Sequence, residues 1–134
     1  MSEKLPDESG LPSGAVVPLG RRVRLRGRGT SFVRECGGPV GAPSVLVLHG
    51  WFATGALNWY RSFEPLAGHF DVLAIDHRGH GRGIRSNRRF RLDDCAGDAA
   101  ALLEELDTGP VIAVGYSMGG PVAQLLWRSR PDLV

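Results

Sequence analysis

The chain has 134 residues, 43% of them hydrophobic, with 16 Lys and Arg against 14 Asp and Glu for a formal net charge of +2. That length allows one domain burying about two-thirds of its unfolded surface, and the near-balanced charge speaks against a nucleic-acid partner. No apolar run reaches the ~20 residues that span a bilayer, the leading MSEKLPDESGLPSG lacks the apolar segment of a secretory signal, and two cysteines, Cys36 and Cys95, form no disulfide framework, so a cytoplasmic location is expected.

In chain order, residues 1–18 are rich in Pro, Gly and Ser and are expected as a flexible tail, leaving 19–134 as the domain. Arg21 to Arg26 and Thr30 to Glu35 alternate in polarity, with Val23 and Leu25 on one face and Arg22, Arg24 and Arg26 on the other. This predicts an antiparallel pair with one wet face. The composition of Cys36 to Pro43 is that of a loop, and Ser44 to Leu48 is a short apolar run that reads as a buried strand. A helix is predicted over Asn58 to Ala67, burying Trp59, Phe63 and Leu66, and a strand over Phe70 to Ile75.

The stretch from Arg78 to Arg91 carries six arginines interrupted by a single aromatic, Phe90. Single-strand binding wants several stacking rings between its cations, so a solvated loop is expected. Gly79-His80-Gly81-Arg82-Gly83 has the wrong spacing for a dinucleotide loop, and His77 and His80 lack further ligands for a metal. Asp93 to Leu106 predicts a helix capped by Asp93, with Leu92, Ala96, Ala99, Leu103 and Leu106 on one face. Asp107-Thr108-Gly109-Pro110 ends it.

The chemistry concentrates in Val111-Ile112-Ala113-Val114-Gly115-Tyr116-Ser117-Met118-Gly119-Gly120. Four apolar residues predict a buried parallel strand, and Met118 to Leu126 a helix that tolerates Pro121 only in its first turn. Ser117 then sits on a tight strand-to-helix turn beside a helix N-terminus, where free N–H groups attract negative charge. Gly115 and Gly119 remove the Cβ atoms that would clash there.

This Gly-x-Ser-x-Gly turn, the His49-Gly50-Trp51-Phe52 segment after the third strand, Ser44 to Leu48, and Asp76-His77-Arg78-Gly79-His80-Gly81 after the fourth together resemble the α/β-hydrolase family over approximately residues 20 to 134. The resemblance implies an α/β fold with sheet order 1-2-4-3-5, antiparallel at its N-terminal edge and otherwise parallel, with helices on both faces. It implies Ser117 as nucleophile and the backbone N–H groups of Trp51 and Met118 as oxyanion donors, supported by His49, Gly50, Gly115 and Gly119. Asp76 is expected to tie down its turn rather than do chemistry.

A serine needs a base, and in the family the acid and then the histidine follow the nucleophile. Here His49, His69, His77 and His80 all precede Ser117, and the one acid after it is Asp132. By resemblance a sixth strand would begin a few residues past Val134, so the chain is expected to be the N-terminal half of the fold, inactive alone. The expected parent activity is hydrolysis of an ester or related acyl bond in a small molecule, a carboxylic ester hydrolase without cofactor or metal. Ser at this turn argues against the dehalogenase and epoxide hydrolase branches, which carry Asp there. The Ser-Met pair is also similar to cofactor-free haloperoxidases and carbon–carbon bond hydrolases, and a non-catalytic remnant or binding module is the competing class.

Overall fold

The computed structural model describes residues 10–134, so part of the expected N-terminal tail lies outside the described residues. The elements run β1 (Gly20–Leu25), β2 (Gly29–Cys36), β3 (Ser44–Leu48), α1 (Gly55–Trp59), α2 (Phe63–Ala67), β4 (Asp71–Ile75), α3 (Leu92–Glu105), β5 (Val111–Gly115) and α4 (Gly119–Ser129), closing with a 3₁₀ turn over Pro131–Leu133. They form a single five-stranded sheet of order β1-β2-β4-β3-β5. The first two pairings are antiparallel, and β3 pairs in parallel with both β4 and β5, as expected.

Period-2 alternation along β3 and β4 splits the core in two. Val45, Val47, Val72 and Ala74 meet Phe63 of α2 on one face. Leu46, Leu48, Leu73 and Ile75 meet Ala96, Ala99 and Leu103 of α3 and Val122 and Leu126 of α4 on the other. Strands buried on both faces read as unbroken apolar runs, which is why β3 shows no polar alternation.

Several expectations change. The strand expected to be buried at Val111 to Val114 is the edge of the sheet, with Ile112 and Val114 exposed, since no strand pairs beyond it among the described residues. The helix predicted over Asn58 to Ala67 is two short helices. Pro65 has no N–H to give the Arg61 carbonyl and its ring would crowd that carbonyl, so no helix continues through 61; at the start of α2 the proline is tolerated. The second strand has no wet face at its centre, since Ser31, Phe32, Val33 and Arg34 are all buried. It lies between β1 and β4, and the Arg34 guanidinium donates to the Pro18 carbonyl at 2.7 Å and lies over the Phe32 ring. The third helix starts at Leu92 with Arg91 at its N-cap, not Asp93. Asp93 and Asp94 fall in its first turn, where negative charge suits the exposed N–H groups.

The arginine-rich loop is also not uniformly solvated. Arg78 forms a two-pronged ion pair with Asp98 of α3, both bonds 2.7 Å, and Arg28 of the β1–β2 turn joins the same carboxylate at 2.7 Å. Asp98 is 2% exposed. One buried carboxylate thereby fastens the β4 loop and the β1–β2 turn to α3, while Arg85, Arg88, Arg89 and Arg91 remain on the surface.

Candidate active site

The strands β3, β4 and β5 run parallel, so the loops after them leave the same end of the sheet. The order reverses at β3: the chain steps to β4 on one side and returns past it to β5 on the other. Such a reversal opens a crevice at the carboxyl ends of the strands, the usual place for a ligand in this class of sheet.

The turn after β5 is tight. Tyr116 donates its N–H to the Leu48 carbonyl at 3.0 Å, carrying the parallel pairing one residue past the strand. Gly119 and Gly120 then donate to the carbonyls of Tyr116 and Ser117 at 2.8 and 2.9 Å. Ser117 has φ +51°, a left-handed conformation that costs a residue with a Cβ about 1–2 kcal/mol, and its side chain is exposed. A Cβ at Gly119 would lie 2.2 Å from the Leu48 carbonyl oxygen, and one at Gly115 would lie 2.1 Å from that of Gly119. Only glycine at both positions lets the helix fold back this closely on the strands. Met118 stands at the N-cap of α4, where the first amides have no upstream helical acceptor.

The loop after β3 packs directly on this turn. A Cβ at Gly50 would come within 3.2 Å of the Ser117 Cβ. His49 is fully buried, with Nδ1 2.7 Å from the Gly50 carbonyl and Nε2 2.9 Å from the His77 amide. A backbone N–H can only donate, so Nε2 is the bare nitrogen and Nδ1 carries the hydrogen. Burial pushes this imidazole down to about 4, with the nearby His80 adding to the shift and the Gly50 carbonyl opposing it. Both nitrogens are committed, so His49 holds the loop and has no lone pair to offer the serine.

His77 lies with its ring centroid 4.4 Å from that of His49, and neither of its ring nitrogens has a hydrogen-bond partner among the described residues. Burial, then the two neighbouring histidines, push it down to about 3. His80 meets Trp51 edge-on, and Phe90 packs against both rings. His69 precedes β4 and so lies at the opposite end of the sheet. Asp76 accepts from the amides of Gly55 at 2.8 Å and Arg82 at 3.1 Å, tying α1 to the β4 loop. Asp132 pairs with Arg130 on the surface. Among the described residues no group of three or more His, Cys, Asp or Glu is arranged to hold a metal, and no helix is long and apolar enough to cross a membrane.

The structure thus brings Ser117, Gly50, Trp51, Met118 and the two glycines of the turn to one place, with His49 buried beneath. Sequence reasoning missed Asn58, whose side-chain oxygen accepts the Gly50 N–H at 2.8 Å. It also missed Phe90 as a wall beside Trp51. The signal available for Asn58 was a polar, poor helix-former immediately before Trp59.

Residues 43–134 match a family model described as alpha/beta hydrolase fold. The chain is 35% identical over 120 residues to 2-(acetamidomethylene)succinate hydrolase of Mesorhizobium japonicum, covering 87% of this chain and 40% of the relative. It is 33% identical over 93 residues to epoxide hydrolase B of Mycobacterium tuberculosis, covering 67% of this chain and 26% of the relative. A crystal structure of E-2-(acetamidomethylene)succinate hydrolase aligns with a TM-score of 0.78 at 34% identity, over 87% of this chain and 41% of that one. The chain spans well under half the length of each.

Proposed function

Because this chain belongs to the alpha/beta hydrolase fold family, we propose that Ser117 is the nucleophile of a hydrolase that opens an ester or related acyl bond through an acyl-enzyme. One observation carries the reading: an exposed serine with φ +51° on a strand-to-helix turn, pressed against Gly50 of the neighbouring loop. A left-handed, non-glycine residue persists where the surroundings over-determine it, and such positions concentrate at reacting groups. The similarity to an epoxide hydrolase leaves the reaction open by itself; a hydroxyl at the turn supports acyl transfer, in which it adds to a carbonyl.

In that reaction the Ser117 oxygen attacks the substrate carbonyl, and charge develops on the carbonyl oxygen. The backbone N–H groups of Trp51 and Met118 receive it. Two fixed donors at that point are each worth about 10²–10³ in kcat. The proton leaving Ser117 needs an acceptor. His49 has both nitrogens engaged, His77 and His80 are buried, and His69 lies at the far end of the sheet. The acceptor and its carboxylate partner therefore come from outside these 134 residues, and the chain by itself turns substrate over poorly.

The exposure of Ser117 permits a direct test, since dissolved imidazole can reach it and serve as base. The chain is treated with a fluorophosphonate in imidazole buffer and the adduct located by mass spectrometry. We expect it on Ser117 and absent from Ser117→Ala. Equal labelling of that variant, or labelling elsewhere, would overturn the assignment.

A further inference from the structure

From the contacts of one residue, Gly50, we infer that Asn58 is the positioning residue of the oxyanion loop, holding the Gly50 backbone so that the next amide, that of Trp51, faces the reacting oxygen. This rests on the reading of Ser117 as nucleophile. Gly50 is gripped at both ends: its N–H donates to Asn58 Oδ1 at 2.8 Å, and its carbonyl accepts from His49 Nδ1 at 2.7 Å. That carbonyl shares a peptide plane with the Trp51 N–H, so fixing the Gly50 torsions fixes the donor's direction. A glycine left free would explore many torsions, and the donor would wander with it.

The grip is only as firm as its base, and α1 is well anchored. Thr54 accepts the Leu57 amide through its hydroxyl oxygen at 3.0 Å, and the Gly55 amide donates to Asp76 at 2.8 Å. Asn58 stands one turn further on, so it ties the β3 loop to β4 through a helix too short to hold itself. Its oxygen is the element that matters, because only an acceptor can hold an N–H. An Asp at 58 keeps the acceptor, a Leu of similar shape removes it, and a Ser is too short to reach.

The test reads two quantities on the 134-residue chain: amide hydrogen exchange at Gly50, and the rate of Ser117 phosphonylation by a fluorophosphonate in imidazole buffer. Asn58→Leu should raise Gly50 exchange about tenfold and slow phosphonylation by about tenfold, a misplaced donor being less costly than the ~10²–10³ of an absent one. Asn58→Ser should behave likewise should the leucine variant fail to fold. Asn58→Asp should restore both to within about threefold. An Asn58→Leu protein that labels Ser117 at the parent rate, or keeps Gly50 as protected, overturns the proposal. If the parent chain carries no Ser117 adduct, the nucleophile reading fails instead, and Gly50 exchange alone upholds or overturns the grip.

Discussion

The two loops that meet at Ser117 are built differently. On the β3 side the backbone is firmly tied, although the Trp51 and Phe52 side chains stand out to solvent: His49 is fully enclosed, Gly50 is held at both ends, and Asp76 and Asp98 each fasten two segments. The β5 side is open, with Ile112 and Val114 of the edge strand 48% and 38% exposed and Tyr116 58% exposed. On the function proposed above, the first half would receive charge, and the second presents a strained hydroxyl to solvent. Electrostatic stabilisation of a transition state depends on donors that do not move when the charge arrives, so rigidity belongs on the oxyanion side.

The largest effect is expected where the two halves touch. Gly119→Ala drives a Cβ into the Leu48 carbonyl oxygen, backbone against backbone, and should cost above about 3 kcal/mol. Chemical denaturation of the variant beside the parent gives the number, and a loss under 1 kcal/mol would mean the halves can slide apart cheaply.

Acid acts on the buried half through its histidines. His49 and His77 titrate near 4 and near 3 in the folded chain, below the ordinary 6.5 that they regain on unfolding. Each folded value is depressed, so the unfolded chain takes up protons first. Stability is complete above about pH 6.5 and falls as pH drops towards 4 and then 3, by up to about 1.4 kcal/mol per pH unit for each histidine. Melting temperature recorded from pH 7.5 to 4.5 should decline steeply below 6.5, and His77→Leu should flatten the decline. An unchanged acid limb in that variant would show that His77 is not the group concerned.

Most of the frame of both halves is legible in the sequence. The sheet order followed from the resemblance, and β3 and β5 from their apolar runs, although only β3 is buried on both faces while β5 lies at the edge of the sheet. Gly115 and Gly119 on either side of Ser117 announce the turn, because only glycine permits such approach. What escaped notice has a common cause. Asn58, Phe90 and the Arg28–Asp98–Arg78 cluster act across 8 to 70 positions of sequence, and no local period records such contacts. The split of the predicted helix was available in principle, since Pro65 forbids it, but the apolar spacing of Trp59, Phe63 and Leu66 masked the breaker.

Next in size is Asp98→Asn, which keeps the shape but leaves the Arg28 and Arg78 guanidiniums without their shared charge. A loss of about 2 kcal/mol is expected, less than for a fully enclosed triad because Arg28 is partly in solvent. Urea denaturation measures it, and a neutral result would remove Asp98 from the account of the rigid half. The smallest change belongs to the open half and has the opposite sign. Ser117→Gly relieves the left-handed strain and should stabilise the chain by about 1 kcal/mol while abolishing phosphonylation. Destabilisation instead would show that the serine side chain holds the turn.

The central claim is that Ser117 is a prepared nucleophile with no base of its own in these 134 residues, and hydrolysis of p-nitrophenyl acetate tests it most directly. The chain and Ser117→Ala are compared in plain buffer and in buffer with imidazole, following both p-nitrophenol release and the acetyl group on the Ser117 peptide. The account predicts matching slow rates in plain buffer, and with imidazole an acetylated Ser117 in the parent chain alone. Sustained multiple turnover in plain buffer that vanishes in Ser117→Ala would contradict it, for a base would then already stand beside the serine.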